Sequence, residues 1–206
     1  MPKRRSRAQA PGDVRHEVAT EAARLMVEHG IQDFAQAKRK AAERLGVRAA
    51  GAVLPSNEQI HAEVREWQRL FEPEADERLA QQRRVAAAVM QLLEPFRPRL
   101  VGSVLDGTAT VNTAIELHVF SDAPEDVVAV LEGNRLRVRD SQRRYRFGKD
   151  VTEHVPGYAL NRDGESLEVM VFPERGAGHA PLSPVDGRPM RRASRSAVLA
   201  LLETQA

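Results

Sequence analysis

A chain of 206 residues, with 31 Lys and Arg against 29 Asp and Glu, is long enough to bury one substantial core, or one core with a helical appendage. It contains no cysteine, which excludes disulfides and thiolate metal sites. Its longest apolar runs, such as 85–90, are far too short to span a bilayer, so no membrane association is expected and a cytoplasmic protein is the default.

Residues 1–12 hold Lys3, Arg4, Arg5 and Arg7 with an acid only at Asp13, just beyond them. Without those four cations the charge balance turns negative, so the high isoelectric point does not describe a basic body. The segment is expected to be a disordered solubilising tail, with an electrostatic grip on phosphate backbones as the minor alternative. No apolar stretch follows it, which argues against a signal peptide.

Residues 13–75 read as a helical N-terminal region. Asp13 can cap a helix to His29, with Val18, Ala22, Leu25 and Met26 on one stripe and Gly30 as its stop. A second helix from Asp33 to Gly46 places Phe34, Ala37, Ala41 and Leu45 inward and Lys38, Arg39, Lys40 and Arg44 outward. A helix-turn-helix is one reading of this pair; an ordinary packing helix with a solvated face is preferred, and DNA binding is not expected. After a Gly- and Ala-rich linker at 47–54, Ser56-Asn57-Glu58-Gln59 forms a capping box. The helix it opens should bury Ile60, Val64, Trp67 and Leu70 or Phe71, with Trp67 as core.

Residues 76–206 read as one α+β domain. A helix from Asp76 carries Leu79, Val85, Ala86, Val89, Leu92, Leu93 and Phe96 inward and is closed by Pro95 and Pro98. In Arg99 to Asp122, a strand runs into Gly102-Ser103 and a polar loop follows. Ile115, Leu117 and Val119 then alternate with Glu116, His118 and Phe120. Period-two alternation predicts a half-buried strand, with Glu116 and His118 on an open sheet face.

A short helix from Glu125 to Leu131 follows. Between 134 and 149 there are seven basic side chains and one acid. A hairpin in which Arg139 pairs with Arg144 would put Leu136, Val138, Tyr145 and Phe147 on one face and Arg135, Arg137, Arg139, Arg144 and Arg146 on the other. Such a face suits a triphosphate or RNA, or else is a charged edge that blocks aggregation. Strands at His154 to Leu160 and Leu167 to Phe172 flank the turn Asn161-Arg162-Asp163-Gly164. The second carries Glu168 among apolar neighbours. A Pro- and Gly-rich loop precedes a last helix capped by Ser194.

The Gly-Ser turn ending one strand, the acid-bearing strand after it and a third acid on a later strand resemble the nucleotidyltransferase superfamily, the DNA polymerase β-like fold. The resemblance covers the chain from about Arg84 onward. It implies a mixed sheet packed on helices, a triphosphate held by Gly102 and Ser103, and carboxylates that hold two magnesium ions. Counted from Ser103, the first two acids of the pattern fall at Ala114 and Glu116, or at Glu116 and His118, so the set is incomplete in either register.

Glu116 and Glu168 are the expected ligands of one Mg2+ or Mn2+; with His118 they form the candidate catalytic set. Arg137, Arg139, Arg144 and Arg146 join Gly102 and Ser103 as candidate nucleotide ligands. His118 is either a general base or a hydrogen-bonded, partly buried histidine. No Walker lysine, Gly-x-Ser-x-Gly elbow or His-x-x-x-His pair offers another chemistry. The expectation is therefore transfer of a nucleoside monophosphate from a nucleoside triphosphate to an RNA or protein acceptor. The alternative is a degenerate member of that fold, binding nucleotide, RNA or a protein through its arginines.

Overall fold

The computed structural model of the chain describes residues 11–47 and 54–205. Most of the basic tail and most of the linker after Gly46 lie outside the described residues. The chain divides into two compact units, Met1–Phe71 and Glu72–Ala206.

The first unit holds helices α1 (Pro11–His29), α2 (Phe34–Arg44) and α3 (Asn57–Phe71). Val18, Ala22, Leu25, Ala37, Ala41, Ile60 and Val64 form its core, and the alanines let the helix backbones approach closely. The Asp33 side chain accepts from the Gln36 amide at 2.6 Å, which starts α2. Glu21 on α1 pairs with Arg24 at 2.8 Å and reaches Arg44 on α2 at 3.0 Å. Trp67 packs half-buried on this core. Leu70 and Phe71, one of which was expected inside, are 56% and 62% exposed. The buried stripe instead continues onto Gln68, and the last turn of α3 runs past it.

The capping box is formed as expected. The Gln59 amide donates to Ser56 Oγ at 3.1 Å, and the Ser56 amide donates to Gln59 Oε1 at 2.9 Å. Ser56→Ala is expected to cost the N-terminal unit about 1 kcal/mol. Urea denaturation followed by Trp67 fluorescence measures this, and an unchanged midpoint would show that the cap contributes nothing.

The second unit is α+β. Its elements are α4 (Ala75–Leu92), β1 (Arg99–Val101), α5 (Gly102–Asp106), β2 (Ile115–Phe120), α6 (Pro124–Gly133), β3 (Val138–Arg146), β4 (Thr152–Arg162), β5 (Glu165–Phe172) and α7 (Arg195–Gln205). The five strands form one sheet in the order β1-β2-β5-β4-β3. Only the β2–β5 pair is parallel. The β4–β5 hairpin turns at Asp163-Gly164, both with positive φ, 53° and 84°, the backbone that an Asp-Gly two-residue turn supplies. Ser194 Oγ accepts from the Ala197 amide at 3.3 Å and starts α7.

Ile115, Leu117, Val119, Leu167, Val169 and Val171 point to one side of the sheet. There they pack with Val85, Val89 and Met90 of α4, Val127 and Leu131 of α6, and Val198 of α7. Each such aliphatic side chain, fully buried, contributes about 1.5–3 kcal/mol. The opposite side carries a second, aromatic core of Phe120, Tyr145, Val155, Met170 and Phe172. β2 is therefore buried on both faces over most of its length, which corrects the expected open face beside His118.

The expected hairpin within 134–149 is not formed. Residues 138–146 run as one strand whose partner is β4, with Arg139 opposite Ala159 and Arg144 opposite His154. Asp140-Ser141-Gln142-Arg143 contains no glycine and no residue of positive φ, so nothing reverses the chain there; the reversal comes later, around Gly148-Lys149-Asp150. In an unbroken strand Val138 and Tyr145 differ by an odd number and take opposite faces. Val138 packs on the helix-side core and Tyr145 lies in the aromatic one.

Candidate functional site

Parallel pairing of β2 with β5 sets Glu116 directly beside Glu168, on strands about 4.8 Å apart. Their even-numbered parity puts both on the side away from the helices, while Ile115 and Leu117 are fully buried on the helix side. Two like charges in this arrangement repel. The opposing charge is Arg143, whose Nη1 lies 2.5 Å from Glu116 Oε2 and 3.7 Å from Glu168 Oε2. Side-chain exposures of 17%, 30% and 33% for Glu116, Glu168 and Arg143 make this a recessed cluster that still reaches solvent.

Gly102 borders the same cluster. Val101 pairs with Glu116, and Gly102 follows at φ 70°. The φ of 70° favours glycine, and a Cβ there would also press on the Glu116 carboxylate at 3.3 Å. Ser103 is the next residue. Gly102 and Ser103 open the short helix α5, which takes up the start of the expected loop. Arg83, buried on α4, donates from Nε to the Val104 carbonyl and from Nη2 to the Leu105 carbonyl, each at 3.1 Å. Those bonds satisfy carbonyls that the end of a five-residue helix leaves open. Ala114 stands immediately before β2 and supplies no acid.

His118 is fully enclosed, with no exposed surface. Arg192 Nε donates to its Nδ1 at 3.2 Å. A guanidinium has no acceptor, so the imidazole proton resides on Nε2, which donates to Tyr145 Oη at 3.1 Å. Burial, and then the positive charges of Arg192 and Arg143, push the His118 pKa well below its ordinary value. The ring lies 4.5 Å from Phe172 and edge-on to Tyr145 at 5.3 Å. Of the two readings of His118, the hydrogen-bonded buried histidine is the one the structure displays.

Tyr145 connects the aromatic core to the acids. Burial, and after it the Glu116 charge, raises its hydroxyl pKa, although the Arg143 guanidinium beside it and a hydrogen bond from Arg143 act in the opposite direction. Burial alone would lower the pKa of Arg143, but the Glu116 carboxylate outweighs it and the guanidinium is held more firmly charged. A continuous polar chain thus runs Arg192, His118, Tyr145, Arg143, Glu116.

The expected arginine face is not assembled. Register places Arg139 on the carboxylate side, in the row of Ala159, Glu168 and Glu116. Arg144 and Arg146 project from the opposite side of β3, and Arg137 precedes the strand. All four are exposed. The residues that sequence reasoning missed are Arg143, Tyr145 and Arg192. The only signal for the first was negative, namely the lack of a turn-forming residue at 140–143; Arg192, within Arg191-Arg192-Ala193, carried none.

As arranged, the cluster does not fit a hard divalent cation. Two carboxylates are present, a guanidinium lies against both, and both nitrogens of the nearby imidazole are engaged. Among the described residues no group of three or more His, Asp or Glu is gathered around one point, and no helix is long and apolar enough to cross a membrane. No protein-family model, no curated protein and no solved structure matches the chain significantly.

Proposed function

We propose that the C-terminal unit is a divergent nucleotidyltransferase-like domain of a cytoplasmic protein that binds a nucleoside triphosphate, or the phosphates of an RNA end, without transferring it. The observation that supports this is the gathering of Gly102, Glu116 and Glu168 at one place on a mixed sheet, with Ala114 where a further acid would complete a metal pair. Two-ion phosphoryl chemistry needs carboxylates enough for two cations, and this face holds two carboxylates that Arg143 already meets. Binding is left to the Gly102-Ser103 turn and to cations of the same face, of which Arg139 is exposed and in the carboxylate row.

A nucleoside triphosphate is expected to bind at low salt and to weaken as salt rises, because counterions are released from the phosphates. Arg139→Ala should reduce affinity by about tenfold, the loss of one charge-assisted phosphate contact. Calorimetry at two salt concentrations measures both, and absence of binding at low salt would refute the reading.

A second reading is an active nucleotidyltransferase in which Arg143 gives up the two carboxylates to a cation; the placement of Gly102 beside Glu116 supports it. Magnesium- or manganese-dependent labelling of RNA or protein by labelled triphosphate, abolished by Glu116→Gln, would establish that second reading.

A further inference from the structure

The position between Glu116 and Glu168 is the one a nucleotidyltransferase-like fold would give to a metal, and here it is met by a side chain of the chain itself. We propose that Arg143 is the resident cation of the Glu116–Glu168 pair, occupying the place of a divalent ion, so that the nucleotide site operates independently of metal. This rests on the nucleotidyltransferase-like reading for its ligand, but not for the ion-pair chemistry.

Exposed ion pairs contribute little and form opportunistically; Arg143 differs in being seated from three sides. Glu116 and Glu168 meet its guanidinium, and the Tyr145 hydroxyl lies close enough to interact with it electrostatically. Tyr145 is in turn held by His118, and His118 by Arg192. Arg192 is itself anchored through Nη1 to the Gly176 and Ala177 carbonyls at 3.1 and 3.2 Å. Its guanidinium lies over the rings of Phe120 and Phe172, 5.0 and 5.1 Å from their centroids. The seat is therefore built from the aromatic core outward.

Two carboxylates side by side need a neighbouring positive charge. A guanidinium supplies one such charge in a planar fork; a divalent ion would supply two and would draw its remaining ligands from water, but only where the guanidinium does not already stand against the carboxylates. Metal and Arg143 compete for the same oxygens, and the covalently attached cation needs no recruitment from solution.

The test is Mn2+ binding, without nucleotide, to the wild-type chain, Arg143→Gln and Arg143→Gln/Glu116→Gln, measured by electron paramagnetic resonance. Wild type is expected to show no saturable site. Arg143→Gln should gain a saturable site, at least about tenfold tighter than any residual Mn2+ binding to wild type, because a positive charge no longer faces the ion, and the double variant should lose it. Triphosphate binding to wild type should be the same in EDTA as in Mg2+.

Saturable Mn2+ binding to wild type that Glu116→Gln removes, or no gain in Arg143→Gln, would overturn the proposal. If Arg143→Gln does not fold, the guanidinium resonances of wild-type Arg143 decide. They should be unmoved by millimolar Mg2+, and displacement of them overturns the proposal equally. A chain that gains Mn2+ on loss of Arg143 but binds no triphosphate would refute the nucleotide reading alone.

Discussion

Gly157→Ala is expected to lower the unfolding free energy of the C-terminal unit by about 3 kcal/mol, the upper range for forcing a carbon into a closed core. Gly157 lies buried in β4, opposite Met170 of β5 and Ser141 of β3. A Cβ there would stand 2.5 Å from the Val169 carbonyl oxygen and 2.8 Å from Met170 Sδ and Cε. The methionine end can move aside, but the carbonyl is backbone within the β4–β5 ladder and retreats only if the strands part. The same movement would lift β3, and with it Tyr145 and Arg143, away from His118 and Glu116. Urea denaturation of the variant against wild type gives the loss. A change below about 0.5 kcal/mol, the size of an ordinary surface substitution, would show that the strands are not in this close contact.

Acidification supplies the second large effect. His118 is neutral in the folded chain because burial, Arg192 and Arg143 hold its pKa well below the usual value, whereas in the unfolded chain it titrates near about 6.5. Between those two values the unfolded state binds more protons, so stability is complete above the unfolded pKa and is lost as pH falls below it. From pH 7 to pH 5 the loss from this one group is about 2 kcal/mol.

His118→Gln isolates the contribution. Its carbonyl can accept from Arg192 and its amide can donate to Tyr145, but it does not titrate. The stability difference between wild type and variant is expected to change by about that amount over the interval. Parallel pH profiles of the two proteins would mean that the imidazole is open to water in the folded state.

Much of the local structure was legible because it depends on short-range chemistry. The capping box at Ser56–Gln59, the Asp33 cap, the Asp163-Gly164 turn and the period-two alternation of β2 and β5 are each decided within a few residues. Parity along those two strands also places Glu116 and Glu168 on the side opposite Ile115 and Leu117. The adjacency of the two acids could be expected from the same parity once the strands were taken as neighbours.

Other features required the tertiary structure. Whether residues 138–146 turn back or run on depends on a partner strand, and β4 supplies one long enough to pair with all nine residues. That pairing moved Arg144 and Arg146 to the opposite face and carried Arg143 to the carboxylates. Gly157 permits the close packing of β4 on β5, and Tyr145 comes over His118 from an edge strand three positions away in the sheet. Alternation describes which way a side chain points, not what covers it. The amino-acid order by itself determined most of the elements, the caps at Asp33 and Ser56 and the side of the central sheet on which its acids lie. Only the folded chain decided that His118 is sealed in and that Arg143 stands against both acids, because each outcome depends on contacts between strands that no local pattern encodes.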